Sequence, residues 1–158
     1  MKIIFADGMK FEVVPAFKNL WPARDFTYPD ANMSGQWLST NPKAEQDAMD
    51  SKDKETKGSL NNICKRARYI RDTYYKSYHL SGIVIDSFVY DAIKRSQWAG
   101  DGFEITEWQY ARMLLSRFNM VSACGQVPFR LNAPGSRQEV DAKSSLDGLG
   151  KVLTCMAK

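Results

Sequence analysis

The chain has 158 residues, 44% of them apolar and 12% aromatic, enough for one globular domain or one and a half small ones and too rich in core formers for a disordered segment. Its formal charge is +4 with a sequence pI near 8.9, compatible with a phosphate-bearing ligand and far short of the basic density of a protein that coats DNA. Cys64, Cys124 and Cys155 are widely spaced, which excludes a disulfide framework or zinc ribbon and reads as reduced, mostly buried thiols in a cytoplasmic protein.

The N-terminus Met1–Phe5 turns polar at Asp7, too soon for a signal peptide. Residues 2–6 and 10–15 are strand-like, and Asp7-Gly8 between them signals a hairpin. In the second strand Phe11 and Val13 share one face, while Lys10, Glu12 and Val14 share the other, and Pro15 ends the pairing. A two-stranded hairpin is marginal alone, and no further convincing strand follows it. The hairpin therefore reads as the remnant of a larger sheet whose other strands lie upstream, and its open edge predicts a homo-oligomer.

Residues 18–58 form a polar, proline-punctuated connection, with a short helix opening at Pro42 and a solvated linker over Lys52–Gly58. Over 59–75, Leu60, Ile63, Cys64, Ala67, Ile70 and Tyr74 recur at helical spacing and predict a core stripe. A second helix is predicted from Ser77, as N-cap, to about Lys94. Its apolar stretch Ile83–Ile93 is interrupted by Asp86 and Asp91, so no membrane span is predicted. After a break at Gln97–Gly102, a third helix starts at Thr106 with Gln109 completing a capping box, and carries Trp108, Ala111, Leu114, Leu115 and Phe118. A loop over Val127–Ser136 precedes a final helix from about Val140 to Met156. The predicted fold is α+β, mainly α: a β-hairpin over 1–17, a connecting segment over 18–58, and a helical bundle over 59–158.

Few residues stand out chemically. Glu12 is a carboxylate in an otherwise buried-looking strand, either a metal ligand or a strand residue facing solvent. Lys65 and Arg68, three apart, share one flank of the first bundle helix. Arg71 falls near the middle of the apolar stripe, which requires either a buried anion or a side chain that snorkels to water. Ser77 at a helix start offers a hydroxyl beside unpaired N–H groups, the ingredients of a phosphate site, or it is only a cap. Tyr78 beside it offers a ring face to a nucleobase, or is a core tyrosine. His79, the single histidine, has no G-x-S-x-G or H-E-x-x-H around it and reads as a packed helix residue. The sequence also lacks G-x-x-x-x-G-K-[ST] and G-x-G-x-x-G.

Taken in order, these segments resemble the oligoadenylate synthetase and cyclic GMP-AMP synthase superfamily, including the bacterial CD-NTases. Phe11-Glu12-Val13-Val14-Pro15-Ala16 is similar to the strand that bears the third catalytic acid. Trp37-Leu38-Ser39-Thr40-Asn41-Pro42 is similar to the W-x-x-T-[DN]-P segment leading into the helical half. Lys65–Ile70 followed by Ser77-Tyr78-His79-Leu80 resembles the basic helix and the S-Y-H-[LV] helix start that grip the donor nucleotide. Leu131–Gly135 is like the family's D-P-x-G loop, with Asn132 and Ala133 as departures.

The resemblance implies the C-terminal part of a nucleotidyltransferase that makes cyclic or linear oligonucleotides from ATP or GTP, as in bacterial anti-phage signalling. Glu12 would match the third acid of a two-Mg²⁺ site, although the family usually places Asp there. Arg68, with Lys65 beside it, and Ser77 would match triphosphate contacts, and Tyr78 the aromatic that stacks on the base. The family's G-S motif and D-x-D pair lie upstream of the hairpin, and no later D-x-D replaces them. The expectation is a chain inactive alone, awaiting an N-terminal catalytic segment; the alternative is a non-catalytic nucleotide-binding or interaction domain.

Overall fold

The computed structural model describes residues 2–4, 10–13, 15–18, 26–29, 37–93, 106–123 and 129–158. The chain divides at Pro42 into two units, Met1–Pro42 and Lys43–Lys158.

The first unit holds five short strands. The expected hairpin is present: β1 (Lys2–Ile4) runs antiparallel to β2 (Lys10–Glu12), with Lys2 opposite Glu12 and Ile3 opposite Phe11. Its predicted Asp7-Gly8 turn lies outside the described residues. The expectation that no strand follows is corrected by β3 (Phe17–Lys18), β4 (Phe26–Pro29) and β5 (Trp37–Thr40), an antiparallel sheet ordered β3-β4-β5. The register sets Phe17 against Thr27 and Trp37 against Pro29, and the rings of Phe17 and Trp37 meet edge to face at 5.5 Å. Proline at position 29 closes β4, the end of a strand where a missing N–H breaks no further ladder bond.

The second unit is helical. Pro42 opens α1 (Pro42–Glu55), where its fixed φ suits a first helical position. The predicted linker over Lys52–Gly58 is corrected: α1 continues through Glu55, and Thr56 behind it is buried. The Thr56 hydroxyl accepts from Leu60 N–H at 3.3 Å, and Lys57 and Gly58 turn the chain through positive φ (53° and 86°). Gly58 has no side chain to cap α2 (Ser59–Tyr74), so Asp53 does it from the preceding helix, accepting from Asn61 N–H at 2.9 Å and from Asn61 Nδ2 at 2.8 Å.

Then come α3 (Gly82–Ala92), α4 (Glu107–Ala123) and α5 (Leu146–Met156), the last preceded by the pair β6 (Leu131–Asn132) and β7 (Glu139–Val140) and a 3₁₀ turn at Lys143–Ser145. The capping box at α4 forms as predicted: Thr106 N–H donates to Gln109 Oε1 at 2.8 Å, and Gln109 N–H to Thr106 Oγ1 at 3.3 Å. The break at Gln97–Gly102 lies outside the described residues.

All buried apolar residues among those described fall in the second unit. Leu60, Ile63, Cys64, Ala67 and Ile70 of α2 pack with Val84, Ile85, Phe88 and Val89 of α3, Leu114 of α4, and Leu149, Val152 and Leu153 of α5. Phe88, Phe118 and Phe129 form an aromatic cluster with centroids 6.1–6.2 Å apart. Each such aliphatic or aromatic side chain contributes about 1.5–3 kcal/mol by leaving water. Two stripe members depart from expectation. Tyr74 ends the α2 stripe 66% exposed, and Trp108 is 47% exposed, its indole donating to the Ala157 carbonyl at 3.1 Å rather than filling the core.

Candidate functional site

The second unit carries the four residues expected to grip a nucleotide, and α2 positions the first two. Lys65 is exposed on its outer face, while Arg68 is half-buried and turns toward α3. There Arg68 Nη2 donates to Asp86 Oδ2, in an ion pair whose side chains are 36% and 20% exposed. Its guanidinium lies along the first turn of α3, where a Cβ on Gly82 would stand 3.5 Å from Arg68 Nε.

Asp86 appeared in the sequence only as a break in an apolar run. The signal was present: a carboxylate on a helix whose neighbours Ile85, Ser87 and Phe88 are all buried needs a cation close by. Its second oxygen, Oδ1, is shut from solvent, with only the weak donor Cys64 Sγ–H on its side. The Cys64 thiol stands beside it, pushed well above its ordinary pKa, first by burial and then by the Asp86 charge.

The predicted helix start at Ser77 is corrected. Tyr78 N–H donates to the Tyr75 carbonyl at 3.0 Å, and Arg71 Nη1 takes the Leu80 carbonyl at 3.0 Å. The chain is thus tied back to α2 through this connection, and α3 begins only at Gly82, with Ser81 as N-cap in an extended conformation. Ser77 is therefore an exposed turn residue, not a cap. His79 lies exposed in the same connection rather than packed in a helix. The same bond explains Arg71. Its partner inside the bundle is a neutral carbonyl, and its outer edge meets Asp72 at 2.7 and 3.1 Å, which holds the Asp72 carboxyl below its ordinary pKa.

Tyr78 is 36% exposed and already has neighbours. Tyr75 meets it edge to face at 6.0 Å, and the Lys151 ammonium from α5 sits 4.9 Å from its ring centroid. Asp147, 3.6 Å from Lys151, and then the Tyr78 hydroxyl hold that lysine protonated above its ordinary range. Beside them runs an open groove of about 490 Å³ lined by Tyr75, Phe118, Asp147, Gly150 and Lys151. Sequence reasoning had no signal for Lys151, which comes from a helix more than seventy residues downstream.

Glu12 belongs to the first unit, where its backbone pairs with Lys2; its side chain falls outside the described residues. Among the described residues, no group of three or more His, Cys, Asp or Glu side chains is arranged to hold a metal ion. Among the described residues, no helix is long and apolar enough to cross a membrane.

Residues 2–53 match the domain family described as Second Messenger Oligonucleotide or Dinucleotide Synthetase, SMODS. The SMODS match covers about one third of the chain, taking in β1–β5 and most of α1, and it includes Glu12 and the Trp37–Pro42 segment. No curated protein and no solved structure gives a significant match to the chain.

Proposed function

We propose that this chain supplies the nucleotide-gripping part of a nucleotidyltransferase that joins NTPs into a cyclic or linear oligonucleotide messenger. The observation that carries the reading is the SMODS match over residues 2–53, whose family is defined by that synthesis. The second unit supports it with chemistry of the right kind. Arg68 brings a guanidinium with several donors to the first turn of α3, suited to phosphate oxygens. Exposed Ser77 offers a hydroxyl, and exposed Lys65 adds positive charge. The Tyr78 ring beside the open groove offers a platform for a base. In this reading the chain's own residues bind and orient the donor nucleotide, and Glu12 adds one carboxylate to the metal site of the complete catalytic centre.

Calorimetry with a non-hydrolysable ATP or GTP analogue tests it. The unaltered chain should bind, Arg68→Ala should weaken binding by about tenfold or more, as expected for a lost charge-assisted hydrogen bond, and Ser77→Ala should weaken it less. Binding indifferent to both substitutions overturns the assignment of the site. An unchanged melting temperature at millimolar NTP favours a non-catalytic interaction domain instead.

A further inference from the structure

We propose that Asp86 is the positioning residue of the nucleotide site: it fixes the Arg68 guanidinium against the first turn of α3 so that the remaining donors face an incoming phosphate. This rests on the reading in which Arg68 binds the triphosphate. The two residues are 18 apart, on different helices, and their ion pair is partly screened from water. One terminal nitrogen of Arg68 is committed to Asp86 Oδ2, which leaves donors on the rest of the fork.

The arrangement is poor as a purely structural bond. Asp86 Oδ1 is sealed from solvent and faces the buried Cys64 thiol, a weak donor, so the desolvation of that half of the carboxylate is poorly compensated. The guanidinium is also brought against the start of α3, the positive end of that helix. A cation held there gains from a second anion. What the fold obtains is orientation: a long side chain otherwise free on the flank of α2 is held in one rotamer before ligand arrives, so less ordering remains to be done on binding.

The sign of the effect separates this role from its rival. If Asp86 merely competed with phosphate for Arg68, removing its charge would tighten binding; if it positions Arg68, removal weakens binding. Calorimetry on the full chain with a non-hydrolysable NTP should show Asp86→Asn binding about fivefold more weakly, with Asp86→Glu recovering part of the loss. The Arg68 Nη2–H protons, followed by NMR at low temperature, should exchange slowly in the unaltered chain and faster in Asp86→Asn. Unchanged or tighter binding in Asp86→Asn overturns the inference, as does fast Nη2–H exchange in the unaltered chain, a readout that holds even if Asp86→Asn fails to fold. A loss of binding in Arg68→Ala without one in Asp86→Asn sinks this inference alone. An unaltered chain that binds no NTP sinks the function reading together with it.

Discussion

Arg71 shows how far single residues could be read. Its place in the middle of an apolar stripe was legible, and so was the need for a partner; that the partner is the Leu80 carbonyl was not, because it depends on the chain leaving the helix after Tyr74. The folded pKa of Cys64 is raised above the ordinary 9.0 by burial first, so the neutral thiol stabilises the fold fully below about pH 9 and that contribution is lost as pH rises further. Urea unfolding of the chain and of Cys64→Ala should therefore show a stability gap that narrows by about 1.4 kcal/mol between neutral pH and about pH 10. A gap independent of pH would contradict the burial account.

Elements were legible where their signals are local. The capping box of α4 and the stripe of α2 need only a few neighbouring residues, and both formed. The strands β3 to β5 were missed because they are two to four residues long, lie among prolines and polar residues, and are held by cross-strand partners 8 to 14 residues away. The start of α3 was misplaced because Ser77 is a good cap by type, while the chain there turns back on Tyr75 and is tied to Arg71 before the helix begins at Gly82. Asp53 is the converse case, a residue read as linker that caps a neighbouring helix. Asp53→Ala should lower stability by about 1 kcal/mol, seen as a reduced urea midpoint at unchanged slope, with Asp53→Asn closer to the unaltered chain. Equal midpoints for all three would remove the cap from the account.

At the scale of the molecule, the class was legible as α+β and mainly α, because long amphipathic repeats dominate any such sum. The candidate residues Arg68, Ser77 and Tyr78 were legible as residue types, and Asp86 as a carboxylate interrupting an apolar run, while its pairing with Arg68 and the place of Lys151 are set by packing between helices and carry no sequence mark. Since the buried apolar residues described all lie beyond Lys43, residues 43–158 should unfold alone in one cooperative transition, followed by circular dichroism. A broad, non-cooperative melt would show that this core is not self-sufficient. Gly135 adds a caution for any map of tolerated substitutions. It is exposed and its φ is +68°, yet a Cβ there would collide with the Ala44 carbonyl, and the neighbouring Ser136 Oγ is bonded to Glu45 at 3.1 Å. A saturation screen would thus score this surface glycine as intolerant as any ligand contact, and the reason would be the seating of a loop on α1.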